Sequence, residues 1–261
     1  MGIAKSGMGI LTGVSLFSGA GGLDIAARNC GIRTVCYVEN DRYAQGVLMS
    51  RIREGSLDDA PIWDDVKTFD GKPFSGKVDI VFGGFPCQDV SNAGKREGIK
   101  EGTRSGLWFE FARILREIRP RYVLVENVPG LIIRGFDDVL GELAEMGYDA
   151  EWEMLSACEV GAPHMRKRVF IMAYADGFSG KRMEKDEKII RSREYPQCSS
   201  WWKRKSLYLR IPVVREKTIP SPGVHRVDDG LAEELDRFRL CGNGVVPQVA
   251  IKVFEKIISR L

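Results

Sequence analysis

The sequence has no long apolar run, few histidines and no paired cysteines, and each lack argues against a class of protein. No stretch approaches the roughly 18 apolar residues of a membrane span. Two histidines leave little for metal coordination, and six cysteines without a CxxC pair argue against zinc and against a disulfide framework. We therefore expect a cytoplasmic protein with no metal and no membrane partner.

The positive charge of the chain is unevenly distributed. The net charge of +3 is too small to indicate a nucleic-acid partner by itself. Between Lys181 and Lys217, however, twelve lysines and arginines stand against five acids, so the rest of the chain is acidic. The surrounding segment, about 176–226, is punctuated by Gly, Ser and Pro and has no long periodic face. This composition predicts a small basic domain separate from the rest.

Short apolar runs alternate with helical patterns along most of the chain. The runs suit strands buried on both faces, and they cover residues 14–19, 35–40, 79–84, 122–128, 151–157 and 169–175. Apolar residues at helical spacing predict helices that end at Arg119–Pro120 and at Gly147, and a closing helix over 247–261. The alternation predicts an α/β fold with a doubly wound, mainly parallel sheet, which binds ligands beyond the carboxyl ends of its strands.

A glycine-rich turn follows the first predicted strand. The stretch LFSGAGGLD (16–24) enters a helix, and Glu39 stands at the end of the next strand, about twenty residues later. Such a pair can hold an adenosine ribose, although the spacing is not a strict GxGxxG and a purely structural turn would look the same. Asp65, near the end of a third strand, could accept a hydrogen bond from an adenine amine or be a surface loop acid.

Three further motifs carry reactive or charged groups at strand ends. Cys87, in the sequence PCQ, lies in a loop bounded by glycine and proline, where a thiol is exposed to the crevice. Glu126 and Asn127, in ENV, end a neighbouring apolar strand, where burial without a role would be costly. Arg166 and Arg168 alternate before the last strand, so both side chains share one face of an extended chain, unless this is a solvated basic turn.

Taken in order, these motifs resemble those of a known family. The set FSGAGG, VEND, DDV, GGFPCQDVSNAG, RSGLWFE, ENV, RKR and GNGVVP is similar to the DNA cytosine-5 methyltransferases, from about residue 14 to 175 and again from about 236 to 255. The resemblance implies a Rossmann-like class I methyltransferase fold in three parts. These are a catalytic domain (1–175), a small basic target-recognition domain (176–226) and a C-terminal segment that returns to the catalytic domain (227–261).

The resemblance also implies a reaction and its residues. The enzyme would transfer a methyl group from S-adenosyl-L-methionine to carbon 5 of a cytosine flipped out of double-stranded DNA. Cys87 would attack carbon 6, Glu126 would protonate ring nitrogen 3, and Asn127 would position the Pro86–Cys87 loop. Arg168 would hold the exocyclic oxygen, with Arg166 close by. The resemblance assigns the cofactor to Phe17, Gly19, Gly21, Gly22, Glu39, Asp65, Asn243 and Val245.

The chain departs from the family pattern at two positions. His164 stands where the family usually has glutamine, and Gly244 where alanine or serine is more usual.

We expect a monomer, with a separately acting restriction endonuclease as a candidate partner. The alternatives are a related enzyme that methylates transfer RNA and a catalytically silent nucleic-acid-binding relative. A nicotinamide-dependent oxidoreductase would explain the glycine turn and Glu39 but not PCQ or ENV.

Overall fold

A computed structural model describes residues 10–86, 105–162, 164–175 and 244–260, which form one seven-stranded sheet with helices on both faces. The strands are β1 (Leu11–Leu16), β2 (Ile32–Val38), β3 (Ile62–Trp63), β4 (Ile80–Gly83), β5 (Tyr122–Asn127), β6 (Tyr148–Ser156) and β7 (Lys167–Ala175). The helices are α1 (Gly22–Asn29), α2 (Arg42–Arg53), α3 (Trp108–Ile118), α4 (Leu131–Arg134), α5 (Phe136–Glu145) and α6 (Pro247–Ile258).

The strand order is β3-β2-β1-β4-β5-β7-β6. The first five strands in this order run parallel, whereas β7 lies antiparallel between β5 and β6. The order reverses between β1 and β4, and the crevice beyond the carboxyl ends at such a point is where doubly wound sheets bind ligands. The prediction of a doubly wound, mainly parallel sheet is confirmed.

Alternate residues along the central strands pack into the two larger of three hydrophobic clusters in the described chain. Val81 packs with α3 and α5 on one face, whereas its neighbours Ile80 and Phe82 pack with α1 and α6 on the other. This is the period of two that a strand imposes on its side chains. Burial on both faces explains why these strands read as continuous apolar runs rather than as alternating ones.

The predicted strand at 151–157 differs from the others in its burial. It forms the larger part of β6, which is the edge strand of the described sheet and pairs there with β7. Trp152 is 45% exposed, and its ring meets the Phe136 ring edge-to-face, at 5.2 Å between centroids. The prediction that this run is buried on both faces is therefore wrong, because an edge strand of a twisted sheet is not fully covered by helices.

The last helix packs against the middle of the sheet. Phe254 of α6 meets Phe82 of β4 edge-to-face, with 5.4 Å between ring centroids. The segment that leads into α6 touches the start of α1 so closely that a β-carbon on Gly22 would lie 3.0 Å from Val245 Cγ1. The predicted target-recognition segment, 176–226, lies outside the described residues.

A buried carboxyl lies beneath the glycine turn. Asp24 of α1 is 1% exposed, and its two oxygens accept hydrogen bonds from the hydroxyls of Ser15 (3.1 Å) and Thr34 (3.2 Å). Ser18 Oγ extends this network, 2.9 Å from Ser15 Oγ. Burial raises the pKa of Asp24 from 3.8 to about 7, because no charged donor offsets the lost hydration within the described network.

We expect this carboxyl to make stability depend on pH. The unfolded chain ionises Asp24 near pH 4, whereas the folded protein keeps it protonated up to about pH 7. Its contribution to the free energy of unfolding therefore falls as pH rises from about 4 to about 7, by a few kcal/mol in all. Asp24→Asn should remove this dependence on pH. Urea unfolding should therefore show the free energy of unfolding of the variant rising relative to that of the wild type between pH 5 and pH 8.

The exposed Asp59 supplies the matched control. Asp59→Asn should leave the slope of the wild type unchanged. Parallel stability curves for the wild type and Asp24→Asn would show that the buried carboxyl is ionised throughout this range.

Candidate active site

Strand register brings the motifs to one edge of the sheet. Leu16, Gly83 and Val125 are partners across β1, β4 and β5, so these three strands end close to the same level. Because β7 runs the other way, its amino end meets the carboxyl end of β5, where Asn127 pairs with Val169. The turn after β1, the loop after β4, the end of β5 and the start of β7 therefore share this edge.

The glycine turn adopts backbone conformations that require glycine at two positions. Gly19 and Gly21 have φ values of 55° and 76°, in the left-handed region. Phe17 also has a positive φ, 53°, and this conformation is strained because Phe17, unlike glycine, carries a side chain. Its ring stacks on Phe111 of α3 with 6.4 Å between centroids, and this contact holds the strained residue in place.

Glu39 is bound to this turn through its carboxylate. Its Oε2 accepts a 2.7 Å hydrogen bond from the Gly19 N–H, and its Oε1 accepts a 2.7 Å bond from the Asp41 N–H. Burial raises the pKa of Glu39, and the backbone donors partly counteract that effect. The predicted ribose acid and the predicted glycine turn are thus in direct contact.

Two of the remaining predicted cofactor residues, Val245 and Asp65, are described by the structure. Val245 packs against Gly22, and Asn243 lies outside the described residues. Asp65 follows the two-residue strand β3, and its Oδ1 accepts a 2.9 Å bond from the Lys67 N–H. Asp65 thus caps its own turn through one oxygen, and in the described chain no hydrogen bond reaches the other oxygen.

Glu126 forms the charged centre of the edge. It is 8% exposed, and its Oε1 lies 2.7 Å from Arg168 Nε. Burial raises its pKa, while Arg168 and Arg166 act in the opposite direction. A β-carbon on Gly84 would lie 2.5 Å from Glu126 Oε2, so a side chain at this position would displace the carboxyl. The arrangement gives a carboxyl that holds a proton more readily than a solvated one.

Asn127 reaches from β5 to the loop after β4. It is 2% exposed, and its Nδ2 donates to the Phe85 carbonyl at 3.2 Å, while its Oδ1 accepts from the Val128 N–H at 2.9 Å. Phe85 comes directly before Pro86, the last described residue ahead of Cys87. The amide therefore fixes the backbone that leads into the predicted nucleophile.

The two predicted arginines have different contacts. Arg168 pairs with Glu126, whereas the Arg166 guanidinium donates to the Gly244 carbonyl and so ties the start of β7 to the segment before α6. Gly244 lies within the predicted GNGVVP motif. His164, the departure from the family pattern, is exposed on the same stretch. The alternative of a wholly solvated basic turn does not hold for either arginine.

Cys87 itself lies outside the described residues, so its role stays a prediction. Three other cysteines are described, and burial raises the pKa of both Cys30 and Cys36 to about 11. Neither therefore supplies appreciable thiolate at neutral pH. Cys158 lies in a short turn, 3.0 Å from the Ser156 hydroxyl.

Helix α3 supports two of the site loops, which the sequence did not reveal. Trp108 packs on Phe85 (5.5 Å between centroids) and on Phe111 (5.4 Å), and Phe111 in turn stacks on Phe17. The aromatic chain thus joins the loop before Cys87 to the glycine turn. The sequence marks Trp108 through the motif RSGLWFE and places Phe111 on an apolar helical face, but neither signal shows that the two rings link these loops.

The residues at this edge fit the predicted methyl donor. A β-carbon on Gly19 would meet nothing within 4 Å, so there is open space beside the turn, next to the Glu39 carboxylate. A buried carboxylate next to an open glycine turn suits a ribose with two hydroxyl donors. Within the described chain there is no group of His, Cys, Asp and Glu side chains that could hold a metal, and no helix long and apolar enough to cross a membrane.

Comparison with known proteins agrees with this geometry. The Type II methyltransferase M.PspPI of Psychrobacter sp. (strain TA137) is 37% identical over 164 residues, which are 61% of this chain and 38% of that protein. M.Eco47II of Escherichia coli is 34% identical over 190 residues, 69% of this chain and 44% of the relative. The chain thus spans less than half the length of these two relatives.

A solved structure and a family model complete the comparison. A prophage-encoded E. coli protein assigned as a DNA modification methyltransferase superposes with a TM-score of 0.54 at 25% identity, over 66% of this chain and 49% of its own. The model of the C-5 cytosine-specific DNA methylases matches residues 11–209, which is well over half of the sequence. Sheet order, site geometry and this match lead to one conclusion: the chain belongs to the C-5 cytosine-specific DNA methylase family.

Proposed function

We propose that the protein methylates carbon 5 of a cytosine flipped out of double-stranded DNA, with S-adenosyl-L-methionine as donor and Cys87 as covalent nucleophile. The observation that carries this proposal is the joint environment of Glu126 and Asn127. A buried, arginine-paired carboxyl with a raised pKa adjoins an amide that holds the Phe85 carbonyl, two residues before Cys87. This combination matches the requirement for a nucleophile and an acid on one pyrimidine ring.

In this mechanism the chain's own residues activate the ring. The Cys87 thiolate adds to carbon 6 while Glu126 gives its proton to nitrogen 3, so electron density moves to carbon 5. Bound S-adenosyl-L-methionine supplies an electrophilic methyl group. Carbon 5 attacks that methyl group while the methyl–sulfur bond breaks, and the sulfur keeps the bonding electron pair. Carbon 5 then loses its proton to a base, the thiolate leaves carbon 6 with its bonding electrons, and nitrogen 3 returns its proton to Glu126. Arg168, already paired with Glu126, would also hold the exocyclic oxygen.

Cofactor binding falls to the residues around the glycine turn. Glu39 would accept hydrogen bonds from the ribose hydroxyls, and Asp65 would accept one from the adenine amine. Val245 would form part of the pocket wall beside Gly22. Phe17, Gly19 and Gly21 would line the methionine and adenine side, and Asn243 would complete the wall. The open space next to Gly19 supports this arrangement.

Target recognition falls to the basic segment in this proposal. Residues 176–226 carry the concentrated positive charge that a phosphate backbone attracts. Family membership and the named Type II methyltransferase relatives favour duplex DNA over transfer RNA as substrate.

Cys87→Ser should abolish methyl transfer to duplex DNA while S-adenosylhomocysteine binding survives, because the serine hydroxyl is a far weaker nucleophile than a thiolate. The incorporation of labelled methyl groups into duplex DNA and into transfer RNA should be measured side by side for the wild type and for the Cys87→Ser variant. A duplex with 5-fluorocytosine at the target should trap a covalent adduct with the wild type, since the proton needed for elimination is missing.

Cys30→Ser is the control and should keep its activity. Methylation by the Cys87→Ser variant, or a fluorocytosine duplex that never forms an adduct, would refute the covalent mechanism. Methyl incorporation into transfer RNA alone would refute the assignment of the substrate.

Glu126→Gln should slow methyl transfer by about 10²–10⁴-fold, because the amide cannot give a proton to nitrogen 3. Single-turnover assays at saturating cofactor measure this step directly. The variant also leaves Arg168 without its anionic partner, so thermal unfolding should be followed in parallel. Glu142→Gln changes a remote glutamate that pairs with Arg116, and it should leave the rate unchanged. Lost cofactor affinity with an unchanged single-turnover rate would contradict the acid role.

Glu39→Gln should weaken S-adenosylhomocysteine binding by about tenfold to a hundredfold, equivalent to about 1–3 kcal/mol. In the wild type each oxygen of the Glu39 carboxylate accepts a hydrogen bond from a backbone N–H. In the variant one of these oxygens is replaced by an NH₂ group, which is itself a donor and would repel the N–H that faces it. Isothermal titration calorimetry measures the loss, with the exposed Glu54→Gln as control. Because the pKa of Glu39 is raised, wild-type affinity should also fall as acidic pH protonates the carboxyl. Equal affinities of the two variants would exclude Glu39 from the cofactor site.

A further inference from the structure

Arg113 of α3 binds the backbone of the loop that carries Asp65. Its Nη2 donates to the Val66 carbonyl at 2.8 Å, and its Nη1 donates to the Phe69 carbonyl at 3.0 Å. Both carbonyls lie within four residues of Asp65, on the carboxyl side. A single guanidinium therefore spans the turn that Asp65 opens.

The guanidinium is itself held in one orientation. Its Nε pairs with Glu110 at 2.8 Å and its Nη1 with Glu117 at 2.8 Å, both on the same helix. Glu117 also accepts a 2.8 Å hydrogen bond from the Gly71 N–H, at the far end of the loop. Helix α3 thus fixes the loop at three backbone positions, two through Arg113 and one through Glu117.

The sheet gives the loop little support, so its position depends on the contacts with Arg113 and Glu117 and on the burial of the Val66 and Phe69 side chains in the core. Strand β3 has two residues, and its last ladder bond joins the Trp63 carbonyl to the Glu39 N–H. Beyond Trp63 the Asp65 turn is closed by its own bonds, from the N–H groups of Thr68 and Phe69 to the Asp65 carbonyl, each 3.1 Å. These local bonds shape the turn but do not fix its place relative to the glycine turn.

We propose that Arg113 is a positioning residue of the cofactor site, which holds Asp65 at the distance where its carboxylate recognises the adenine amine. The proposal rests on the function proposed above, in which Asp65 contacts that amine. Arg113 touches no part of the cofactor and acts only through the loop. It would therefore determine discrimination at the 6-position of the purine rather than methyl transfer itself.

Lysine cannot replace the arginine fully. The four contacts of Arg113 use three nitrogens in a planar fork, whereas an ammonium group is a single point with three donors. Arg113→Lys should keep part of the effect, since it can still pair with a glutamate and reach one carbonyl. Arg113→Met keeps the aliphatic stem and should lose all of the polar contacts.

The test compares affinities for S-adenosylhomocysteine and for its inosine counterpart, in which a 6-oxo group replaces the 6-amino group. The Asp65 carboxylate should accept a bond from the amine and repel the carbonyl, so the wild type should favour the adenine ligand by about tenfold or more. Calorimetric titration should show this ratio falling about tenfold or to near unity in Arg113→Met, with Arg113→Lys in between. Arg116→Met should leave it unchanged, because Arg116 lies on the same helix but pairs with Glu142.

Two further measurements separate positioning from stability alone. In an Asp65→Ala background, Arg113→Met should not lower the ratio any further, because its effect passes through Asp65. A lower melting temperature with an unchanged affinity ratio would overturn the proposal, as would a further drop of the ratio in the double variant. A wild type that binds neither ligand would instead refute the proposed function, and the inference would fall with it. A wild type that binds both equally would exclude Asp65 as the amine acceptor.

Discussion

A carboxyl at the end of a fully buried strand has to be compensated, and the pairing of Glu126 with Arg168 meets this requirement. An isolated ionised carboxylate in such a place would cost many kcal/mol, so burial pushes Glu126 towards its protonated form. The antiparallel direction of β7 brings Arg168 to the same end of the sheet. A parallel β7 would have placed this arginine at the opposite edge.

The pair also imposes conditions on its neighbours. A side chain at Gly84 would displace the Glu126 carboxyl, because Oε2 lies 2.5 Å from the position of a β-carbon. Gly83 is constrained more strictly, because the backbone carbonyl of Leu16 lies 2.2 Å from the position of its β-carbon. The two glycines at the end of β4 thus allow close approach of β1 on one side and β5 on the other. Asn127, one residue after Glu126, then fixes the chain that leaves β4.

Much of the fold follows from local sequence signals, because a strand buried on both faces has to be apolar throughout. The runs around residues 35–40, 79–84, 122–128 and 169–175 coincide with strands for this reason. The partial exposure of β6 has a signal in the sequence, because Glu151 and Glu153 alternate with Trp152 and Met154, and such alternation indicates a strand that is not buried on both faces. Strand β3 is too short to produce a periodic pattern at all.

The sequence predicts the candidate site residues that end a strand. It does not predict those whose role depends on a contact with a distant part of the chain. Glu39, Glu126 and Asn127 stand at strand ends, and parallel register brings such positions together. Asp24 and Arg113 act through contacts with Thr34 and with the backbone at residues 66 and 69, far apart in the chain. No spacing rule reveals such partners, because tertiary packing alone decides which carbonyl a long side chain reaches.

The contact between Gly22 and Val245 joins parts of the chain more than two hundred residues apart. A displacement of α6 along the sheet would therefore move Val245 away from the start of α1. The glycine turn and the last helix are mechanically coupled through this contact, so a change in the packing of either one is felt by the other.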